Sequence, residues 1–300
     1  MHLLAFDTST DALSVAVMRT TPTGPLYWQH QGAGGAAASG SLIAAVMDLL
    51  RQADLRLQDL DAICFGSGPG SFTGLRTACS VAQGLAYGAG VSVLAVPSLL
   101  ALAQSARAHH ASQATHGCVN ALLDARMDQV YAASYAFAGD VWTTVQDPGL
   151  LSPEQVAQWA QSADAALGPD KPLLGALDAQ LGKANDTQLA SGQGAAPWRA
   201  WAGNVFGMYS ERLAAPAGVL CCDALPQAMA ILQVAPALIA AGACVPPEQA
   251  LPLYVRDKVA KTTGERALEK AAKAGIAQSE AALVAALVPP LAAHAQTPGT

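Results

Sequence analysis

Two stretches near the start of the chain have the residue types for phosphate or metal chemistry. The first is Asp7-Thr8-Ser9-Thr10, which ends an apolar run at residues 3–6. An acid followed by short hydroxyl side chains leaves backbone N–H groups accessible to an anion and sets a carboxylate near its metal. Asp, Ser and Thr also favour plain turns, so the same residues fit an ordinary hairpin. The second is Gly66-Ser67-Gly68-Pro69-Gly70-Ser71-Phe72-Thr73-Gly74, between an apolar segment at 61–65 and a helical pattern. Free N–H groups and the dipole at a helix start attract anions. No Lys follows these glycines, so this is not a Walker loop, and their spacing departs from the dinucleotide fingerprint. A tight turn seating a helix closely on a sheet would need the same glycines. Asp7, Thr8, Ser9, Gly68, Gly70 and Ser71 are the candidate phosphate-side residues.

Other chemistries lack their residues. The histidines (His2, His30, His109, His110, His116 and His294) form no HxxxH or HExxH pair, and no Cys/His cluster has zinc spacing. Gly70-Ser71-Phe72-Thr73-Gly74 resembles a serine-hydrolase elbow only loosely, with no distinct His to activate the serine. The six cysteines form no CxxC pair and are expected to be reduced and mostly buried.

The elements that must position these residues alternate between strand and helix patterns. A strand at 3–6 and another at 14–18 read as a hairpin around Asp7–Thr10, with a further strand at 26–30. Leu42, Val46, Leu49, Leu50 and Ala53 recur at helical spacing, with Ser39 or Ser41 as a cap. The segment at 61–65 is a buried strand. The helix after the glycines runs to about Tyr87 and carries two ridges of small residues: Gly74, Ala78 and Ala82 on one, Ser80, Gly84 and Gly88 on the other. A strand at 91–96 leads to a helix capped by Ser98. The pattern then restarts with a strand at 119–123, Asp124, a turn, and a strand at 130–137. Asp7 and Asp124 are 124 − 7 = 117 residues apart, which implies a domain-sized duplication. Residues 161–203 are weakly patterned, 205–213 are helical, 224–241 are apolar, and 251–255 read as a final strand.

At 300 residues and 52% hydrophobic, the chain has room for two domains, each with a core. It contains no apolar run of about 18 residues, the length that marks a membrane span. Its start lacks a basic leader pattern, so the expected compartment is the cytoplasm. A net charge of −6 argues against nucleic-acid binding over the whole surface. The exception is local: Arg256, Lys258, Lys261, Arg266, Lys270 and Lys273 lie in one short stretch.

Together these motifs resemble the TsaB (YeaZ) family. The resemblance rests on Asp7-Thr8-Ser9-Thr10 with Ser14-Val15-Ala16-Val17, on Gly68-Pro69-Gly70-Ser71-Phe72-Thr73-Gly74-Leu75-Arg76, and on Ala82-Gln83-Gly84-Leu85-Ala86. Asp124-Ala125-Arg126 with Val130-Tyr131 and Tyr254-Val255-Arg256 complete it. It implies an α/β, duplicated actin-like ATPase (ASKHA, ribonuclease H-like) fold in two domains. These would be residues 1–108, carrying partner-binding helices, and 109–255, followed by a basic helical tail at 256–300 whose end is disordered. It further implies a non-catalytic subunit that supports its relative TsaD, with the ATPase TsaE, in transferring threonylcarbamoyl to the adenosine beside the tRNA anticodon. ATP and a divalent metal would belong to the partner complex, and this chain would need no cofactor. It would meet tRNA through the complex, and it would pair with itself when alone.

In that family the two N-terminal helices pack against counterparts as a four-helix bundle. Leu42, Val46, Leu49, Gly74, Ala78 and Ala82 are the expected partner face, although they would equally pack on their own sheet. Arg266, Lys270 and Lys273 would line one helix face and touch tRNA phosphates. They would equally serve as a solvated helix face. The family often keeps a His near the start of the first helix, where this chain has Ala38 and Ser39. The other function classes left open are an active ATPase or sugar kinase of the same fold, and a peptidase.

Overall fold

The computed structural model describes residues 1–35, 38–167 and 197–256. The stretch carrying Arg266, Lys270 and Lys273, with the helices expected there, lies outside the described residues. Two five-stranded sheets carry the fold. The first contains β1 (His2–Asp7), β2 (Ala12–Thr21), β3 (Gly24–Ala33), β4 (Ala62–Gly68) and β5 (Ser92–Pro97), in the order β3-β2-β1-β4-β5. The second contains β6 (His116–Asp124), β7 (Val130–Ala138), β8 (Val141–Leu151), β9 (Trp198–Gly203) and β10 (Leu220–Asp223), in the order β8-β7-β6-β9-β10. In each, the first three strands run antiparallel and the last two add in parallel. The halves thus share one topology, as a duplicated actin-like fold requires. Asp7 and Asp124 each end the central strand of their sheet.

Alternation along the strands decides what each face meets. On one side of the first sheet, Leu4, Phe6, Val15, Val17, Ile63 and Phe65 are buried against α1 (Ala38–Gln52) and α2 (Phe72–Ala89). On the other, Leu3, Ala5, Ala16 and Cys64 join a core shared with α3 (Ser98–His110) and α6 (Ala228–Ala240). That core continues into Val119, Ala121, Tyr135 and Phe137 of the second sheet. α6 follows the second sheet in the chain yet packs on β1, β2 and β4 of the first. Ser14 on β2 anchors it, its Oγ accepting from the Ala228 N–H at 2.9 Å. Met1–Val255 is consequently one compact unit. α4 (Val156–Leu167) and α5 (Phe206–Leu213) cover the outer side of the second sheet.

The fold departs from the sequence reading in several places. The stretch at 161–203 has more structure than its weak pattern implies: α4 enters it and β9 closes it. β9 is only six residues long and is a parallel strand between β6 and β10, so it shows no regular polar alternation. The expected strand at 251–255 is an extended strap outside both sheets. Pro252 cannot donate to a ladder, and the strap makes a backbone bond from Leu253 N–H to the Ser67 carbonyl, 2.7 Å. α1 starts at Ala38, so Ser39 and Ser41 lie inside its first turn rather than ahead of it.

Candidate functional site

The turn after β1 and the glycine run after β4 meet because β1 and β4 are parallel neighbours. The two candidate phosphate-side elements therefore come together, and they seal each other. Thr8 Oγ1 donates to the Gly74 carbonyl at 2.7 Å, and Ser71 N–H donates to the Ser9 carbonyl at 2.7 Å. A methyl group on Gly74 would sit 1.9 Å from the Thr8 carbonyl oxygen, and one on Gly70 would sit 2.5 Å from that of Ser9. These glycines permit backbone to touch backbone. Gly68, at φ +115°, makes the turn itself.

Asp7 lies beneath this contact with 1% of its surface exposed. Its Oδ1 accepts from the Ser9 N–H (2.8 Å) and Ser9 hydroxyl (2.6 Å), and its Oδ2 accepts from the Ser98 hydroxyl (2.8 Å). Ser98 Oγ in turn accepts the Gly68 N–H at 3.1 Å. Ser98 is therefore not the expected helix cap. Pro97 holds that place, and the serine hydroxyl is spent on the acid. Its position directly after a strand end was the signal available in the sequence. The backbone donors of Gly68 and Ser71, which an anion would need, are already engaged within the chain.

Burial pushes the Asp7 carboxyl above its ordinary value of 3.8, against the pull of its bonds from Ser9 and Ser98. The folded state thus holds this proton more tightly than the unfolded chain does. Raising the pH from below 3.8 through the folded value should cost stability. Asp7→Asn keeps the shape and lacks the titration. In urea unfolding across that window, stability should shift in favour of the variant as pH rises, then level off. A difference that stayed flat, or shifted toward the wild type, would contradict this placement.

The second half repeats the arrangement with different groups. Asp124 Oδ1 accepts from the Arg126 N–H and the Tyr209 hydroxyl, both at 3.0 Å. Arg126, Met127 and Asp128 all have positive φ, at 59°, 55° and 58°. From this turn Arg126 Nη2 reaches Asp11 Oδ2 of the first turn at 2.5 Å, so an ion pair spans the gap between the halves. Arg212 pairs with Asp128 (3.0 Å) and Glu154 (2.6 Å).

The six positions expected to face a partner instead point inward. Leu42, Val46, Leu49, Ala78 and Ala82 belong to the core between the first sheet and the two helices, and Gly74 is buried against Thr8. The sheet claims these residues because they are the apolar and small ones at helical spacing. The opposite faces are open. α1 exposes Ile43 (49%) and Met47 (50%), and α2 exposes Ser80, Gly84, Gly88 and Tyr87 (81%). A methyl group on Gly84 or Gly88 would meet nothing within 4 Å.

A family model described as TsaD: tRNA N6-adenosine threonylcarbamoyltransferase matches residues 36–263. The Escherichia coli protein named tRNA threonylcarbamoyladenosine biosynthesis protein TsaB is 30% identical over 262 residues, which cover 87% of this chain and 96% of that one. The chain belongs to the TsaB family. The Haemophilus influenzae TsaB protein is 33% identical over 173 residues, covering 55% of this chain and 70% of its own. Among solved structures, YeaZ from Pseudomonas aeruginosa aligns at 34% identity and a TM-score of 0.61, covering 84% of this chain and 99% of that one. The same organism's protein described as similar to peptidase YEAZ aligns at 34% identity, with a TM-score of 0.64 and coverages of 85% and 99%. The resemblance read from the sequence motifs is therefore established, and the α/β fold with two sheets of like strand order is shared with the YeaZ structures. Among the described residues no group of three His, Cys, Asp or Glu side chains converges as a metal site, and no helix is long and apolar enough to cross a membrane.

Proposed function

We propose that this TsaB-family chain is a non-catalytic subunit of tRNA threonylcarbamoyladenosine biosynthesis. In this reading it acts in the cytoplasm by binding a TsaD protein through the outer faces of α1 and α2. The carrying observation is Gly84, a mid-helix glycine on the exposed face of α2 with open space beside it. A mid-helix glycine costs about 1 kcal/mol relative to Ala. No contact among the described residues offsets that cost. A second helix lying across Gly84 would offset it by close approach, and Ile43, Met47 and Tyr87 supply apolar area beside it.

The sealed turn supports the non-catalytic part. Both Asp7 oxygens accept bonds, from Ser9 and Ser98, and the Gly68 and Ser71 N–H groups of the loop are bonded internally. ATP and a divalent metal belong to the assembled complex with TsaD and TsaE, and tRNA is met there. Alone, the chain pairs with itself through the same helices. Reconstitution tests the proposal: TsaD, TsaE, tRNA and the threonylcarbamoyl donor, with and without this chain. Modification should require the chain, and the chain by itself should neither transfer threonylcarbamoyl nor hydrolyse ATP. Turnover by the chain alone, after contaminating ATPases are removed, would overturn the reading.

A further inference from the structure

The last residue of the Gly68–Arg76 motif has no part in the sealed turn. Arg76 is exposed on α2, a helix with no Asp or Glu and no other Arg or Lys. Arg19, Arg51, Arg56, Arg126 and Arg212 each pair with a carboxylate. Among the described residues no carboxylate pairs with Arg76. It is held by aromatics instead. Its guanidinium carbon lies 3.8 Å from the Phe72 ring centroid, and its Nε donates to the Tyr254 hydroxyl at 3.1 Å. The Phe72 and Tyr254 rings themselves lie 5.3 Å apart.

Tyr254 is fixed in turn by the C-terminal strap. Leu253 N–H bonds the Ser67 carbonyl at 2.7 Å, and the Ala250 carbonyl accepts from Gln83 Nε2 (2.9 Å) and Cys79 Sγ (3.3 Å) on α2. Stacking and Nε use one ring face and one N–H of the fork. The two terminal nitrogens, which together can grip a carboxylate end-on, make no bond among the described residues. A charge immobilised before its ligand arrives has less freedom to lose on binding.

Arg76 stands one turn before Ser80 and two before Gly84 on the exposed strip, so it is continuous with the face assigned above to a partner. A second copy of this chain has little to offer it. The acid carried by α1 is Asp48, already bonded to Arg51 and Gln52, and α2 carries none. We infer that Arg76 is the specificity charge of this face, taking a carboxylate on a helix of the different, TsaD-type partner in preference to a second copy of the chain. Tyr254 and the strap act as its positioning residues. This rests on the partner reading proposed above.

The test measures affinity for the TsaD protein of the same organism at low and high salt, and self-association by sedimentation. Arg76→Gln should weaken the heteromeric complex about 30-fold and flatten its salt dependence. Arg76→Lys should fall between that variant and wild type, because it keeps the charge and loses the fork. Tyr254→Phe should cost about 3-fold and leave the salt slope unchanged. Self-association and melting temperature should match wild type in all three, since the side chain is exposed. Wild-type affinity and salt slope in Arg76→Gln, or an equal loss of self-association, would overturn the inference while leaving the partner reading intact. Failure of the wild-type chain to bind TsaD at all would remove the partner reading, and this inference with it.

Discussion

Gly74→Ala is expected to destabilise the fold by about 3 kcal/mol, whereas Gly84→Ala, further along the same helix, should stabilise it by about 1 kcal/mol. The chemistry of the two changes is identical, so the surroundings set the sign. At Gly74 the new methyl group would lie 1.9 Å from the Thr8 carbonyl oxygen and 2.9 Å from its carbon, both backbone atoms with little room to give. Relief requires moving the turn away from α2. That breaks the Thr8–Gly74 and Ser71–Ser9 hydrogen bonds and uncovers Asp7. At Gly84 the added methyl group would meet no neighbouring element within 4 Å among the described residues, and the change only removes the glycine's conformational freedom in the unfolded chain. Urea unfolding of the two variants beside wild type measures the difference. Equal effects of the same sign would mean that the turn is not packed against the helix.

Gly84→Trp should separate folding from binding. The side chain has open space in the isolated chain, so stability should stay at or above wild type. Helices in contact lie about 8–10 Å apart, and an indole between them prevents that approach. The expected loss of TsaD affinity is at least about 100-fold, or about 2.7 kcal/mol. Ala78→Trp and Ala82→Trp are expected to behave differently, because both alanines are fully buried against the first sheet and overpacking there disrupts the fold itself. Titration of each variant into TsaD, with circular dichroism of the variant alone, distinguishes the cases. Normal binding by Gly84→Trp would place the partner elsewhere.

Much of the architecture was legible because it rests on local chemistry. The spacing of Asp7 and Asp124 implied a duplication, and the two sheets share one strand order with those aspartates at matching ends. Helical periodicity located α1 and α2. Periodicity states that a face is buried, however, and not what buries it. Gly74, Ala78 and Ala82 were indistinguishable in sequence from Ser80, Gly84 and Gly88, and the sheet took the first ridge. Other features depend on contacts between distant residues. The hydroxyl of Ser98 serves Asp7 across 91 residues of chain, and Arg76 meets Tyr254 across 178. The turn at Arg126–Asp128 reaches positive φ at three successive residues without a glycine, so composition gave no sign of it. Such a turn is held by its surroundings: Asp124, Asp11 and the Arg212 pair.

The central claim is that this chain works by pairing with a TsaD protein. The most direct test is the native mass of an equimolar mixture of the chain with the TsaD of its own organism, each also measured alone. The predicted result is a heteromeric species that replaces the self-associated chain and is lost with Gly84→Trp. A mixture that shows only the two separate proteins, while threonylcarbamoyl transfer to tRNA proceeds equally well without the chain, would contradict the account.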